Sequence, residues 1–109
     1  MTPDEDENIV ITTVITINHP LGLHMRIGRE VVKVAERYSA EIAARNLTRP
    51  SPVVDARSIL QLMQLQARQG HRLQVDASGR DARGAVDALR LLLESLPIEP
   101  PPAATENTR

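Results

Sequence analysis

The stretch IVITTVITI (residues 9–17), followed by NHPLG (18–22) and LHMRIGREVVKVAERY (23–38), decides the fold of this chain. Residues 9–17 are rich in β-branched side chains, which lose little rotamer freedom on a pleated strand, and isoleucine recurs at alternate positions. The next five residues have the composition of a turn. Apolar residues then recur at helical spacing: Ile27, Val31, Val34, Ala35, Tyr38 and Ile42. The stretch predicts a strand, a turn and an amphipathic helix that begins just after His24.

Three more strands are predicted further along the chain. Residues 41–44 and 53–56 have the pattern of short strands around a loop that contains Pro50 and Pro52. Residues 73–77 alternate apolar and polar side chains, which is typical of a strand with one buried face.

Two further helices are indicated by their start signals. Ser58 opens an S-x-x-Q capping-box pattern with Gln61, which predicts a short second helix that Gly70 is placed to end. Asp81 is the predicted N-cap of a third helix. The apolar stripe of that helix consists of Ala82, Ala85, Val86, Leu89, Leu92, Leu93 and Leu96.

The order of elements, βαββαβα, predicts an α+β fold in which three helices cover one face of a four-stranded, mainly antiparallel sheet. The 109 residues suffice for one domain with one core. Residues 1–8 are acidic and residues 97–109 are rich in proline, so we expect a single domain over 9–96 between two disordered tails.

Composition excludes several classes of protein. The chain has no cysteine, which favours a reducing, cytoplasmic setting. It has no apolar run near the roughly 20 residues that span a bilayer, so we expect no membrane insertion. Residues 9–96 carry twelve Lys or Arg and eight Asp or Glu, a net charge of +4 that suits an acidic protein partner. With Tyr38 as the sole aromatic side chain, nucleic-acid binding is not expected.

His24 is the residue best placed for chemistry. The three histidines lack the spacing of a zinc site, so we expect no metal. His24 lies where a glycine turn leads into a helix, and the free N–H groups and positive dipole end there stabilise anions. They also disfavour imidazolium, which leaves a neutral nucleophile for attack on phosphorus. Arg26, two residues on, can add a guanidinium to a bound phosphate.

An isolated H-x-R motif is more often a helix cap beside a solvated arginine, so its context decides the interpretation. Here P-x-G-L-H-x-R (20–26) stands at a strand-to-helix junction, and RSILQL (57–62) and Gln69-Gly70 follow in order. Gly79 and Asp81 then precede a terminal amphipathic helix. From about Ile11 to Leu96 this arrangement resembles HPr, the histidine-containing phosphocarrier family, and implies its open-faced sandwich fold.

The resemblance implies that His24 is phosphorylated through its Nδ1 atom and that Arg26 is the assisting cation. In that family the phosphoryl group comes from phosphoenolpyruvate through enzyme I and passes to an enzyme IIA of a sugar phosphotransferase system. We therefore expect a cytoplasmic, monomeric carrier without a cofactor, rather than a stand-alone enzyme. Which sugar and which enzyme IIA are involved does not follow from the sequence.

Partner-binding and regulatory residues are also implied by the resemblance. Ser58 matches the regulatory serine that a dedicated kinase phosphorylates in some bacteria, although a helix N-cap alone would also explain it. The apolar docking patch of relatives matches Ile59, Leu60 and Met63. A basic helix face and one thioether lie beside it: Arg26, Arg29, Lys33 and Arg37, with Met25 next to the proposed phosphate.

The match departs from the family pattern after the histidine, where relatives usually have a small residue and then an arginine followed by proline. Here Met25 is bulky, and Ile27 restores an N–H that proline would remove. Gly28 is expected to weaken the first turns of the helix by up to ~1 kcal/mol. The stretch 45–57 is longer than the family pattern and is interpreted as a partner-specific addition.

Two other functions compete with phosphoryl transfer. The first is a regulatory module of the same fold whose apolar patch contacts a transcription factor or enzyme, with His24 phosphorylated as a signal. The second is an unrelated α/β sandwich that senses a small ligand, for which the sequence offers no glycine-rich phosphate loop.

Overall fold

The computed structural model of the protein describes residues 9–95, which form one α+β unit. Its elements are β1 (Val10–Thr16), α1 (Met25–Glu36), β2 (Glu41–Asn46), β3 (Val54–Asp55), α2 (Ile59–Met63), β4 (Arg72–Ser78) and α3 (Ala82–Glu94). The predicted order βαββαβα is confirmed. The tails predicted over 1–8 and 97–109, and Leu96 at the end of the predicted third helix, lie outside the described residues.

The four strands form one antiparallel sheet in the order β1-β4-β2-β3. In register, Ile15 pairs with Leu73 and Ala44 pairs with Val75. Alternate residues of β2 and β4 are buried, because side chains along a strand alternate between faces, and Ile15 is the buried residue of β1. The core joins this sheet face to α1 and α3: Ile15, Ile17, Val31, Ala35, Ile42, Ala44, Leu73, Val75, Ala77, Val86, Leu89 and Leu93.

Helix α1 begins at Met25, as predicted, and ends at Glu36. Val31, Val34 and Ala35 of the predicted stripe are buried on it. Ile42 fits the same helical spacing but also lies in the stretch 41–44 predicted as a strand, and the structure confirms the strand: Ile42 is on β2, buried opposite Ala77. The periodicity continued by chance from the helix into the strand.

Helix α3 confirms the third predicted helix, but the role assigned to Asp81 needs correction. Asp81 stands at the N-cap position without a side-chain cap hydrogen bond. Its carboxylate instead accepts hydrogen bonds from the N–H groups of Ser39 and Ala40, both at 2.8 Å. The Asp81 side chain therefore links the start of α3 to the residues just before β2. Each of its two carboxylate oxygens accepts an amide N–H there, and such charge-assisted hydrogen bonds are stronger than neutral ones.

Helix α2 ends at Met63 and not at Gly70, so it is shorter than predicted. The chain leaves the helix through Gln64 and turns at Gln66, whose φ is 47°. This turn buries Leu65 and Ala67 in the core, which a continued helix would not do for both. Gly70, at φ 87°, donates its N–H to the Ile17 carbonyl at 2.7 Å and belongs to the entry into β4.

The capping box at α2 is only half formed. The Ser58 hydroxyl accepts the N–H of Gln61 at 3.2 Å, as predicted. The Gln61 side chain does not return to Ser58, since its Oε1 accepts the N–H of Asp55 at 2.9 Å. Ser58 N–H donates to the Asp55 carbonyl at 3.0 Å, so the start of α2 is tied to β3 instead.

The stretch 45–57 is organised around one buried polar side chain, Asn46. Its Nδ2 donates to the Leu65 carbonyl at 3.1 Å and lies 3.0 Å from Nδ1 of His71. Its Oδ1 accepts the N–H of Thr48, and its N–H donates to the Ser51 hydroxyl. Because both polar atoms of the Asn46 side chain have partners, this side chain fixes how the loop leaves β2.

Candidate functional site

His24 occupies the N-cap position of α1 with extended backbone angles, φ −87° and ψ 177°. Its carbonyl accepts the N–H of Gly28 at 2.8 Å, so the helix begins from this residue. The imidazole itself makes no cap hydrogen bond. A purely structural cap would use its side chain in this way, and His24 does not. The ring and the free N–H groups of the first turn are both left available to a ligand.

The turn before His24 is fixed by close backbone contact with the segment after α2. Gly22 has φ 70° and donates its N–H to the His19 carbonyl at 2.9 Å. Leu23 is buried and donates its N–H to the Ala67 carbonyl at 2.9 Å. The residue before His24 is therefore anchored in the core, and the position of the His24 backbone follows from it.

The two nitrogens of the His24 ring have different surroundings. Nε2 is buried and has no hydrogen-bond partner among the described residues. Nδ1 is not among the buried unpartnered atoms and makes no cap hydrogen bond. A neutral ring with its proton on Nε2 presents a lone pair at Nδ1.

Three effects lower the pKa of His24 below its ordinary value of 6.5. Desolvation of the ring contributes most, followed by the charges of His19 and Arg26. All three disfavour imidazolium, so the ring is neutral near pH 7. A neutral ring is the nucleophilic form.

The predicted basic residues lie on the exposed side of α1. Arg26, Arg29, Lys33 and Arg37 are all exposed. Arg26 is close enough to His24 to affect its titration. Lys33 pairs with Glu30 at 3.5 Å, and both side chains are largely solvated, so this pair adds little stability. Of the four cations, Arg26 is the one whose charge lowers the pKa of His24, and the other three follow further along the chain.

The apolar residues predicted around the site divide into an exposed and a half-buried group. Leu60 is 74% exposed, Leu21 is 71% exposed and Met25 is 44% exposed. The patch predicted from Ile59, Leu60 and Met63 is thus only partly exposed, since Ile59 and Met63 are half-buried. We call Leu21, Met25 and Leu60 the apolar rim of the site.

Gly28 explains why Ile59 and Met63 are half-buried. A Cβ atom at Gly28 would lie 2.6 Å from Cδ1 of Ile59 and 2.8 Å from Cε of Met63. Gly28 is buried, and its missing side chain lets α2 approach the first turns of α1. The sequence interpretation of Gly28 as a weak point of the helix missed this packing role.

Ser58, the predicted regulatory residue, is half-buried at the N-cap of α2. It lies one residue before Ile59, which packs at Gly28. The structure therefore brings Ser58 to the same side of the molecule as the first turns of α1.

His19 is the site residue that sequence reasoning missed. Its ring centroid lies 5.1 Å from that of His24, with 51° between the ring planes. In the sequence, the only indication of a role for His19 is its place at the start of the glycine turn, and it belongs to no metal-binding pattern. Its proximity to His24 depends on the path of the turn, which the sequence did not specify.

Two further features bear on the type of site. Within residues 9–95, no three His, Cys, Asp or Glu side chains converge as metal ligands. In the same part of the chain, no helix has the length and apolar character that a membrane crossing requires.

Comparison with known proteins identifies the family. The model of the PTS HPr component phosphorylation site, where PTS denotes the phosphotransferase system, matches residues 11–95. A multiphosphoryl transfer protein of Haemophilus influenzae is 39% identical over 83 residues, which cover 76% of this chain but 16% of that protein. The phosphocarrier protein HPr of Pseudomonas aeruginosa is 37% identical over 82 residues, covering 74% of this chain and 88% of its own length.

Solved structures agree with this assignment. HPr of Thermoanaerobacter tengcongensis superposes with a TM-score of 0.70 at 32% identity, covering 78% of this chain and 92% of that one. HPr of Bacillus anthracis gives 0.71 at 26% identity, covering 79% and 99%. An α+β sandwich with a histidine at the mouth of its first helix is thus the class of protein to which the site belongs. The chain is a member of the HPr family of the phosphotransferase system, and the predicted family and fold are confirmed.

Proposed function

We propose that the protein carries a phosphoryl group on Nδ1 of His24. The observation that supports this most directly is the state of that ring. It stands at the N-cap of α1 without capping the helix, its Nε2 is buried, and its pKa is lowered so that Nδ1 keeps a lone pair near pH 7.

The chemistry needs little more than this ring and its surroundings. In the first step the Nδ1 lone pair forms an N–P bond while the bond from phosphorus to the donor breaks, and the donor keeps that electron pair. In the second step an acceptor attacks phosphorus and the N–P electron pair returns to Nδ1. The free N–H groups of α1 and the Arg26 guanidinium stabilise the phosphate charge in both states.

The surface around His24 supports protein partners as donor and acceptor. The apolar rim, Leu21, Met25 and Leu60, is exposed, and so are the cations of α1. An apolar centre with a basic edge suits transient contact with acidic proteins. The proposed partners are enzyme I as donor and an enzyme IIA as acceptor. The multiphosphoryl transfer relatives are much longer proteins, of which this chain spans 9% to 23% of the length.

Phosphorylation by enzyme I tests this proposal. The protein is incubated with phosphoenolpyruvate and an enzyme I, and its intact mass is measured. We expect one added phosphoryl group that is lost in acid, that is absent in His24→Ala and that persists in His71→Gln. No added mass in the wild-type protein, or equal addition to His24→Ala, would exclude His24 as the carrier.

Regulation through Ser58 is a second, separate proposal. A phosphate there would add a charge of about −2 at the start of α2, beside the docking surface, and would repel an acidic partner. We expect Ser58→Asp to accept the phosphoryl group more slowly than the wild type, whereas Ser58→Asn, which has the same shape without the charge, does not. Equal rates for both variants would contradict the proposal.

A further inference from the structure

The imidazole of His19 is held in one orientation by the turn it opens. Its Nδ1 accepts a hydrogen bond from the backbone N–H of Leu21 at 3.1 Å. Its carbonyl accepts the N–H of Gly22 at 2.9 Å. Because the Nδ1 lone pair is used as an acceptor, the neutral ring carries its proton on Nε2.

The His19 and His24 rings form a pair with matching unpartnered atoms. Nε2 of each ring is buried, and neither atom has a hydrogen-bond partner among residues 9–95. A neutral His24 with a free lone pair at Nδ1 also carries its proton on Nε2. Two N–H groups cannot hydrogen bond to each other, so the lack of a bond between rings 5.1 Å apart fits this pair of tautomers.

Neighbouring positive charge opposes protonation of His24. Arg26 on α1 and Arg68, whose backbone packs against Gly22, are the cations on adjoining segments. Glu94 at the end of α3 is the anion on the third adjoining element, and its carboxylate already accepts from Thr16 N–H at 3.3 Å and Arg90 at 2.8 Å. A proton on Nδ1 of His19 would also displace the Leu21 hydrogen bond.

We infer that His19 is a positioning residue of the phosphoryl-transfer site, one that keeps the His24 ring neutral with Nε2 inward and Nδ1 toward solvent. This inference rests on the proposed function, because a positioning role in phosphoryl transfer requires that His24 carries the phosphoryl group. Its physical content, the tautomer and protonation of two imidazoles, belongs to the unphosphorylated protein and can be measured without any partner.

Nitrogen-15 NMR of histidine-labelled free protein tests the geometry. The variant His19→Asn keeps a side-chain oxygen that can accept the Leu21 N–H but removes the second ring. We expect His19 to show the Nε2–H tautomer in the wild type, and the His24 titration midpoint to move upward in His19→Asn. His71→Gln, in which the third histidine is replaced, should leave that midpoint unchanged. An Nδ1–H tautomer of His19, or an unchanged His24 midpoint in His19→Asn, would overturn the inference.

The pH profile of phosphoryl acceptance distinguishes positioning from mere folding. His19→Asn should match the wild type at pH 8, where His24 is neutral in both, and should lose rate at pH 6, where its His24 is more protonated. An equal loss at both pH values would indicate a structural role and overturn the inference. If the wild type accepts no phosphoryl group, the proposed function fails, while the NMR result still decides whether His19 controls the His24 ring.

Discussion

Gly22 lies so close to the Ala67 backbone that a Cβ atom on Gly22 would stand 2.6 Å from the Ala67 carbonyl oxygen. The same Cβ would stand 2.7 Å from Cα of Arg68. Both neighbours are backbone atoms, which cannot rotate away as a side chain can. This contact holds the turn that presents His24, because the next residue, Leu23, hydrogen bonds to the same carbonyl.

Gly22→Ala is therefore expected to destabilise the protein by about 3 kcal/mol or more, since a positive-φ cost of about 1–2 kcal/mol adds to the steric overlap. Gly70→Ala is the matched control, because Gly70 also has a positive φ, 87°, but nothing lies within 4 Å of its Cβ position. It should cost only about 1–2 kcal/mol. Denaturant unfolding measures both values, and equal losses would show that the backbone contact at Gly22 carries no energy.

The lowered pKa of His24 makes folding stability depend on pH in a defined direction. Between the folded-state pKa and the ordinary value of 6.5, the unfolded chain binds more protons than the folded one. The stabilisation that neutral His24 adds to the free energy of unfolding is thus fully present above pH 6.5. It is lost as the pH falls through the folded-state pKa of His24. The wild type should lose stability relative to His24→Gln as the pH falls below 6.5 in urea unfolding. A difference that stays constant across this range would contradict the lowered pKa.

Asp81 should contribute stability with an acid-side dependence. Burial alone raises the pKa of Asp81, but the hydrogen bonds from Ser39 and Ala40 outweigh it and hold this pKa below 3.8. Asp81→Asn should cost about 1–2 kcal/mol at neutral pH, because one charged acceptor of two amide donors is lost. The contribution is present above pH 3.8 and disappears as the pH falls through the folded-state pKa. Asp87→Asn, at an exposed position of α3, is the control and should have no such effect in thermal unfolding.

Arg26 should contribute to phosphoryl acceptance through its charge. Arg26→Gln removes a charge-assisted contact worth about 1.5–3 kcal/mol to a phosphate, which corresponds to a roughly 10- to 100-fold slower initial rate. Arg37→Gln removes the same charge from the far end of α1 and should change the rate little. Rates are measured with saturating enzyme I at low and high salt. An equal effect of both substitutions would indicate general charge attraction only.

Much of the fold could be predicted because local and tertiary preferences agree in β1, α1 and α3. The isoleucines at 9, 11, 15 and 17 specify one strand, and Val31, Val34 and Ala35 specify the buried face of α1. The position of His24 at the start of α1 could be predicted because a glycine turn followed by a helix is visible in the sequence. These features depend on neighbours within a few residues.

The features that sequence reasoning missed depend on distant partners. Asp81 was assigned to its own helix, yet its carboxylate binds amides about forty residues earlier, at Ser39 and Ala40. The contact of Gly28 with Ile59 and Met63 and the tilted approach of the His19 ring to His24 depend on how elements pack. Local sequence patterns contain no information on such contacts. They therefore indicate a destabilising glycine at Gly28 and no functional role for His19.

The most direct test of the proposed carrier role is to measure which histidine, and which of its ring nitrogens, bonds to phosphorus. Histidine-labelled protein phosphorylated by enzyme I should show one-bond coupling between phosphorus and Nδ1 of His24, with His19 and His71 uncoupled. Coupling at Nε2, coupling at another histidine, or a protein that takes up no phosphorus would contradict the role assigned to the exposed nitrogen at the mouth of α1.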